Sequence, residues 1–374
     1  MYCKNLFGLN NIIIIFERGI FMIDTMEIYH CFSSVAEYYK TMGRVDRYMR
    51  NNKLSNLHNK ITYGGARFGF QEIYFYSNPD VGFYAVYIKL RPKLLICENN
   101  YINTMYPSDI DFVAEKFKTK AKQLKLPDAI MEYKVKRIDY AVDISIPYKQ
   151  IPKYIELFKK SNIPDNLLND KTMKYFNSDN NFYLVGEKYN INFYNRYDTL
   201  QMKQENDNRL YACMERTKGK FRFEIQVKEI NTNKLKRQGL ITKNSVQDFF
   251  NPDIAEHIIL HHYDKIIGKG DYMSYFKAFG LLNSENAKDI LNRIKTSGSI
   301  YEAKKQFISE HVDKRKAEKQ FSSYLSYIRN KNINPVTLEA GEKEMKNPRK
   351  LICEYFNNKN KIHLTRRCDL KEEF

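Results

Sequence analysis

Residues 137–146 read RIDYAVDISI. β-Branched and aromatic side chains dominate, so the stretch is expected to form a strand. Yet it carries two aspartates, four residues apart. Successive strand side chains alternate between faces. Ile138, Tyr140, Val142 and Ile144 therefore share one face, and Arg137, Asp139, Ala141, Asp143 and Ser145 share the other. A half-buried strand with one wet face explains such a pattern unaided. Chemistry enters only if other strands bring reactive groups to a matching face.

Two later strands do so. In INFYNRY, 191–197, Ile191 and Phe193 take one side, while Asn192, Tyr194 and Arg196 take the other. In FRFEIQVK, 221–228, Phe221, Phe223, Ile225 and Val227 lie opposite Arg222, Glu224, Gln226 and Lys228. If these strands are neighbours, their polar faces pool two aspartates, a glutamate, a tyrosine and several cations. That outlines a metal-plus-tyrosine site. Carboxylates bind Mg²⁺ or Mn²⁺ through oxygen. The metal polarises a phosphate, and a tyrosine hydroxyl attacks it and stays attached. Asp139 and Asp143 sit about 13 Å apart along an extended strand, so they do not readily chelate one ion together. Asp139 is the favoured ligand, paired with Glu224, and Asp143 stands close behind. A phenol is a weak nucleophile at neutral pH. Arg196 and Lys188 are expected to favour its ionised form.

The segments KVKRIDYAVDI, NINFYNRYDTL and KFRFEIQVK, in that order and spacing, resemble the rolling-circle replication initiators of phages and small plasmids of low-GC Gram-positive bacteria. These families are related to the filamentous-phage gene II protein and the staphylococcal plasmid initiators. Looser similarity lies in MIDT at 22–25, RPKLLICENN at 91–100 and NINPVT at 332–337. The resemblance implies a cytoplasmic nicking-closing enzyme that needs a divalent ion. A tyrosine attacks one strand at the origin, forms a 5′-phosphotyrosine link and frees a 3′-hydroxyl. It implies Tyr194 as nucleophile, with Asp139, Asp143 and Glu224 as carboxylate ligands. Tyr189 and Tyr197 are close enough in sequence to compete for the nucleophile's role. The implied partners are origin DNA, single- and double-stranded, and a host helicase. The sequence leaves open plasmid or phage origin and the oligomeric state, a homodimer included. Many such enzymes bind metal through a His-hydrophobic-His motif. None occurs here; His261 and His262 are adjacent, on an expected helix. A carboxylate-only site is the one to expect. His363-Leu-Thr-Arg366 has the HxxR shape of tyrosine recombinases, but too little chain follows to supply their tyrosine.

Composition bounds these readings. The chain has 374 residues with a formal net charge of +18, the balance of a protein with a polyanionic partner. AT-rich codon usage inflates Lys, Asn, Ile and Tyr as well. Cys3, Cys31, Cys97, Cys213, Cys353 and Cys368 form no CxxC pair, which argues for a reducing cytosol without a zinc finger or disulfide frame. The apolar run Ile12 to Phe16 is too short to span a membrane, so no membrane partner is expected.

The expected fold is α+β: a curved antiparallel sheet with helices on one side forms a nuclease domain over 22–235. Residues 1–21 read as a dispensable extension. A helical DNA-binding domain spans 240–337, and 338–374 is a tail without clear period. In the helix His311–Asn330, Lys314, Arg315, Lys316 and Lys319 crowd the first half, after a capped helix and a short connection. That arrangement resembles a helix-turn-helix, and these cations, with Arg196, are the expected DNA contacts. The chief alternative is a non-catalytic nucleic-acid-binding protein, a single-strand binder or a DNA-binding regulator. ARFGFQEIYF, 66–75, resembles the aromatic strand of an RNA-recognition motif, where exposed rings stack on bases. A stacking module shows Arg67 beside aromatics on an open face; a nuclease brings Asp139, Glu224 and Tyr194 together.

Overall fold

The structure is a computed structural model. It describes residues 23–51, 56–57, 60–61, 69–96, 105, 109–167, 180–207, 214–228 and 232–357. The segment 1–21, Arg67 and His363–Arg366 lie outside the described residues.

One antiparallel sheet organises the chain. Its strands are β1 (Ile23–Cys31), β2 (Asn56–Leu57), β3 (Lys60–Ile61), β4 (Phe70–Asn78), β5 (Phe83–Leu90), β6 (Lys134–Ser145), β7 (Asn181–Val185), β8 (Tyr189–Asn195) and β9 (Lys220–Val227). The spatial order is β2-β3-β4-β5-β1-β6-β9-β8-β7. The RIDYAVDISI strand therefore lies centrally, between β1 and β9. Its alternation is realised: Ile138, Tyr140, Val142 and Ile144 are buried in the core.

The inner face is apolar and covered by helices. These include α1 (Val35–Asn51), α3 (Ile110–Gln123) and α4 (Ile151–Lys159), which follow the sequence periodicity. The short α2 (Pro92–Ile96) follows β5. Phe193 and Phe223 stack across β8 and β9 at 4.4 Å, and Phe158 of α4 meets Phe193 edge-on at 4.9 Å. Burying each such ring is worth about 1.5–3 kcal/mol.

Two bulges reshape the outer face. Register shifts occur between Ile23 and Thr25, and between the pairs Glu27–Arg137 and Ile28–Val135. A bulge adds an unpaired residue and re-aims side chains. The first turns Asp24 outward beside Thr25, and the second turns Lys136 outward beside Arg137.

The helices differ from expectation in three places. The helix α5 (Arg196–Asp207) lies on the outer side, with Lys203 in electrostatic reach of Asp24 and Glu224. Helices are thus not confined to one side. After the short α6 (Thr232–Arg237), α7 (Val246–Phe249) and α8 (Pro252–Ile266) join the sheet's core, where Tyr140 Oη donates to the Phe249 carbonyl at 2.8 Å. Further on, α13 (Arg349–Asn357) buries Ile352 and Phe356 in a stretch whose sequence shows no clear period.

Between them lie α9 (Tyr275–Gly280), α10 (Glu285–Ser297), α11 (Ile300–Ser309) and α12 (Lys314–Asn330). Ser284, Ser299 and Asp313 each cap the following helix by accepting a backbone N–H. Ile290, Ile294, Ala303, Phe307, Phe321 and Leu325 close the core of α10–α12.

Candidate active site

The register pools the three polar strand faces. Ala141, Glu224 and Asn192 lie opposite one another across β6, β9 and β8. Asp143, Arg222 and Tyr194 form the next row on one side, and Asp139, Gln226 and Asn190 the next on the other. Side chains one row apart on the same face sit within reach of each other. Tyr194 is thus diagonal to Glu224 from one side, and Asp139 from the other.

Tyr194 Oη donates to Glu224 Oε2 at 2.9 Å. Arg196 Nη1 lies 3.4 Å from the same phenol oxygen. The other Glu224 oxygen accepts from Gln226 Nε2 at 3.0 Å. Tyr194 is only 5% exposed and Glu224 only 7%, and α5 brings Arg196 to the phenol and Lys203 into electrostatic reach of Glu224. Burial, then the Glu224 charge, raises the Tyr194 phenol well above its ordinary value, against Arg222 and Arg196. This corrects the expectation of an ionised phenol. Lys188 does not help, since it precedes β8 and stands at the opposite end of that strand from Tyr194.

The competing tyrosines fall elsewhere. Tyr189 points to the inner face, where its ring meets His262 of α8 at 4.6 Å. Tyr197 lies in the first turn of α5 and donates to Glu215 Oε1 at 2.8 Å.

Arginines answer the aspartates. Arg222 is fully buried and grips both oxygens of Asp143, each at 2.6 Å. Its remaining arm reaches Asp24 Oδ1 at 3.2 Å. Arg91 approaches Asp24 Oδ2 at 3.5 Å. Although burial opposes ionisation, Arg91 and Arg222 hold Asp24 well below the usual carboxylate range, and Arg222 lowers Asp143 as well. Asp139 differs. Arg137 pairs with it at 2.8 and 2.7 Å. Burial nevertheless pushes the Asp139 carboxyl up to about 7, helped by the charges of Glu224 and Asp24.

Among the described residues, no three His, Cys, Asp or Glu side chains are grouped so as to hold a metal ion. A smaller oxygen set does share this face. Asn192 Oδ1, directly opposite Glu224, is buried without a hydrogen-bond partner. Asp139, Glu224 and Asn192 would offer two carboxylates and an amide oxygen. Mg²⁺ commonly uses one or two carboxylates and fills its shell with water and substrate phosphate. Arginines grip both oxygens of each aspartate, Arg222 those of Asp143 and Arg137 those of Asp139, so a cation would have to displace Arg137 from Asp139, or the fully buried Arg222 from Asp143.

The expected DNA contacts are placed apart. Arg196, the first residue of α5, is buried at 3% exposure. Lys314, Arg315, Lys316 and Lys319 are exposed on α12, after a four-residue turn from α11. Arg315 and Lys319 line a shallow depression with Ser322, Ser323 and Ser326.

Sequence alternation missed Asp24. Counted back from Met26 and Ile28, it falls on their inner face, and only the bulge reverses it. Arg222 was legible as a polar-face residue, but its hold on Asp143 depends on strand order. No family model matches the chain, and neither does any curated protein or solved structure.

Proposed function

We propose that this protein is a replication initiator that nicks one DNA strand through Tyr194 and carries the strand as a 5′-phosphotyrosine ester. The observation that carries the reading is the Tyr194–Glu224 hydrogen bond of 2.9 Å on the sheet face that also bears Asp139. A phenol kept protonated by burial needs a base, and Glu224 already accepts its hydrogen bond. The tyrosine oxygen bonds to phosphorus as Glu224 takes that proton. The phosphorus–3′-oxygen bond breaks, and a solvent proton completes the 3′-hydroxyl. Arg196 and Arg222 supply positive charge beside the phenol oxygen as it loses its proton. Asp139, Glu224 and Asn192 would hold Mg²⁺ or Mn²⁺, which supplies Lewis-acid polarisation of the phosphate when bound. Because Tyr194 is buried, α5 must swing away before a strand enters. The duplex origin is met by α12, whose four cations follow a helix-turn-helix-sized turn. The deciding experiment is transfer of a labelled origin strand to the protein, followed by mapping of the modified residue. An adduct on Tyr194 supports the reading, and no adduct with any strand in Mg²⁺ or Mn²⁺ removes it.

A second reading draws on the arginines. Asp139 and Asp143 each sit in a two-pronged arginine pair, as in a structural charge network. A non-catalytic nucleic-acid-binding protein would suit that network and the basic α12. No helix among the described residues is long and apolar enough to cross a membrane.

A further inference from the structure

The outer face of the sheet changes character beyond Glu27. On β6, β9 and β8 it is charged and buried. On β1, β5 and β4 it is aromatic. The register places Tyr29, Tyr87 and Tyr74 in one row. Their rings stand parallel: Tyr74 and Tyr87 stack at 4.7 Å and 2°, and Tyr29 and Tyr87 at 5.2 Å and 22°. Tyr76, 47% exposed, lies at 85° to Tyr87 and meets Phe83 at 6.1 Å. Large rings gathered on the outer side of a sheet mark an interaction surface.

Charge accompanies the rings. The bulge in β6 delivers Lys136, whose Nζ sits 4.9 Å from the Tyr87 ring centre. Lys134, opposite Tyr29, is exposed. The carboxylate among the rings, Glu27, is neutralised by Lys136 at 2.9 Å and by the Tyr74 hydroxyl at 2.6 Å. Glu72, on the same face, lies opposite Lys89. Partly exposed rings, with Tyr76 the most open, and cations beside them suit a ligand that is flat and apolar on its faces and anionic along its backbone. Unpaired bases meet that description; a duplex hides its base faces. The row also adjoins the candidate active site. Tyr29, Glu27 and Thr25 follow one another along β1, and Thr25 pairs with Asp139.

We infer that Tyr76 and Phe83, backed by the stacked row Tyr29, Tyr87 and Tyr74 with Lys136 beside it, form a stacking platform for single-stranded DNA on the sheet face that also carries Tyr194. The platform would take the strand by its bases and leave the phosphates to the neighbouring lysines. It stands without the nicking reading, since binding requires no cleavage.

The test uses the full chain carrying Tyr194→Phe, so that cleavage plays no part. Fluorescence anisotropy measures affinity for a labelled oligothymidylate, an abasic strand of equal length and a duplex. The parent should prefer the oligothymidylate to the abasic strand. Tyr76→Ala with Phe83→Ala should weaken oligothymidylate binding by about 5- to 100-fold, the range expected when base–aromatic stacking is removed. Abasic and duplex affinities should not move. Tyr76→Phe keeps the ring and should keep the affinity, which shows that the fold is intact. Equal parental affinity for oligothymidylate and abasic strands would overturn the platform. So would an equal loss on all three ligands, or a change in oligomeric state without a change in strand affinity.

Discussion

Tyr194 and Glu224 occupy diagonal positions across β8 and β9, and the phenol gives its proton's hydrogen bond to the carboxylate at 2.9 Å. Tyr194→Phe removes that donor and keeps the ring. Glu224 then loses one partner but keeps Gln226, so the stability cost should be about 1 kcal/mol. The covalent adduct should disappear entirely. Tyr189→Phe and Tyr197→Phe should retain it, because one ring faces His262 and the other hydroxyl is given to Glu215. Denaturing gel transfer of label reads all three. Wild-type adduct yield from Tyr194→Phe would reassign the nucleophile.

The facing of the three key strands was legible because strand alternation has a period of two and leaves little freedom. RIDYAVDISI raised the question of two aspartates on one polar face. The structure answers it with two different surroundings. Asp143 meets Arg222, directly opposite, while Asp139 meets Arg137 from its own strand and Glu224 diagonally. Strand order is a long-range fact, so no local pattern distinguishes the two. Bulges were illegible for a related reason: Asp24 and Lys136 break alternation, and nothing in MIDTMEIYH or KVKRIDY marks where. The burial of the site was illegible too, because INFYNRY does not reveal that the chain turns at Arg196 into a helix across its own face.

The Arg222–Asp143 pair should be the most costly to break. Arg222 is fully buried, so Asp143→Ala removes its two-pronged partner and leaves Asp24 at 3.2 Å beside an incompletely paired guanidinium. Loss of one partner from a buried pair costs about 3–5 kcal/mol. Asp24 and Asp143 both have depressed carboxyl values in the fold. Their contribution is therefore present above the unfolded value near 3.8 and lost as pH falls below it. Urea midpoints from pH 4 down to pH 2, below the range in which Asp139 titrates, should drop for the wild type, and less steeply for Asp143→Ala. Parallel curves would remove Asp143 from the acid sensitivity.

Duplex binding should be separable from strand chemistry. Replacing Lys314, Arg315, Lys316 and Lys319 with Ala strips the exposed first half of α12 and leaves the buried Ala317 and Phe321 in place. Origin-duplex affinity should fall. Its logarithmic salt slope should shrink by up to about 0.9 for each phosphate no longer neutralised. Cleavage of a single-stranded oligonucleotide should persist. An unchanged duplex affinity and slope would take the origin-binding role away from α12.

Asp139 should respond to pH in the opposite sense to its neighbours. Its carboxyl is pushed up from 3.8 to about 7, so the folded state holds its proton more tightly than the unfolded chain. Between those values the folded state binds more protons, and stability falls as pH rises. The contribution is present below pH 4 and gone above pH 7. Asp139→Asn keeps the shape and removes the charge, so it should stabilise the protein at pH 8 by on the order of a few kcal/mol and change little at pH 4. A cation bound by Asp139, Glu224 and Asn192 would relieve the same repulsion. Millimolar Mg²⁺ or Mn²⁺ should then raise the wild-type melting temperature at pH 8, less at pH 5, and not in Asp139→Asn or Glu224→Gln. Both variants should also abolish nicking, as should EDTA. An equal rise in wild type and both variants would place the ion elsewhere, and full nicking in EDTA would separate this carboxylate pair from metal altogether.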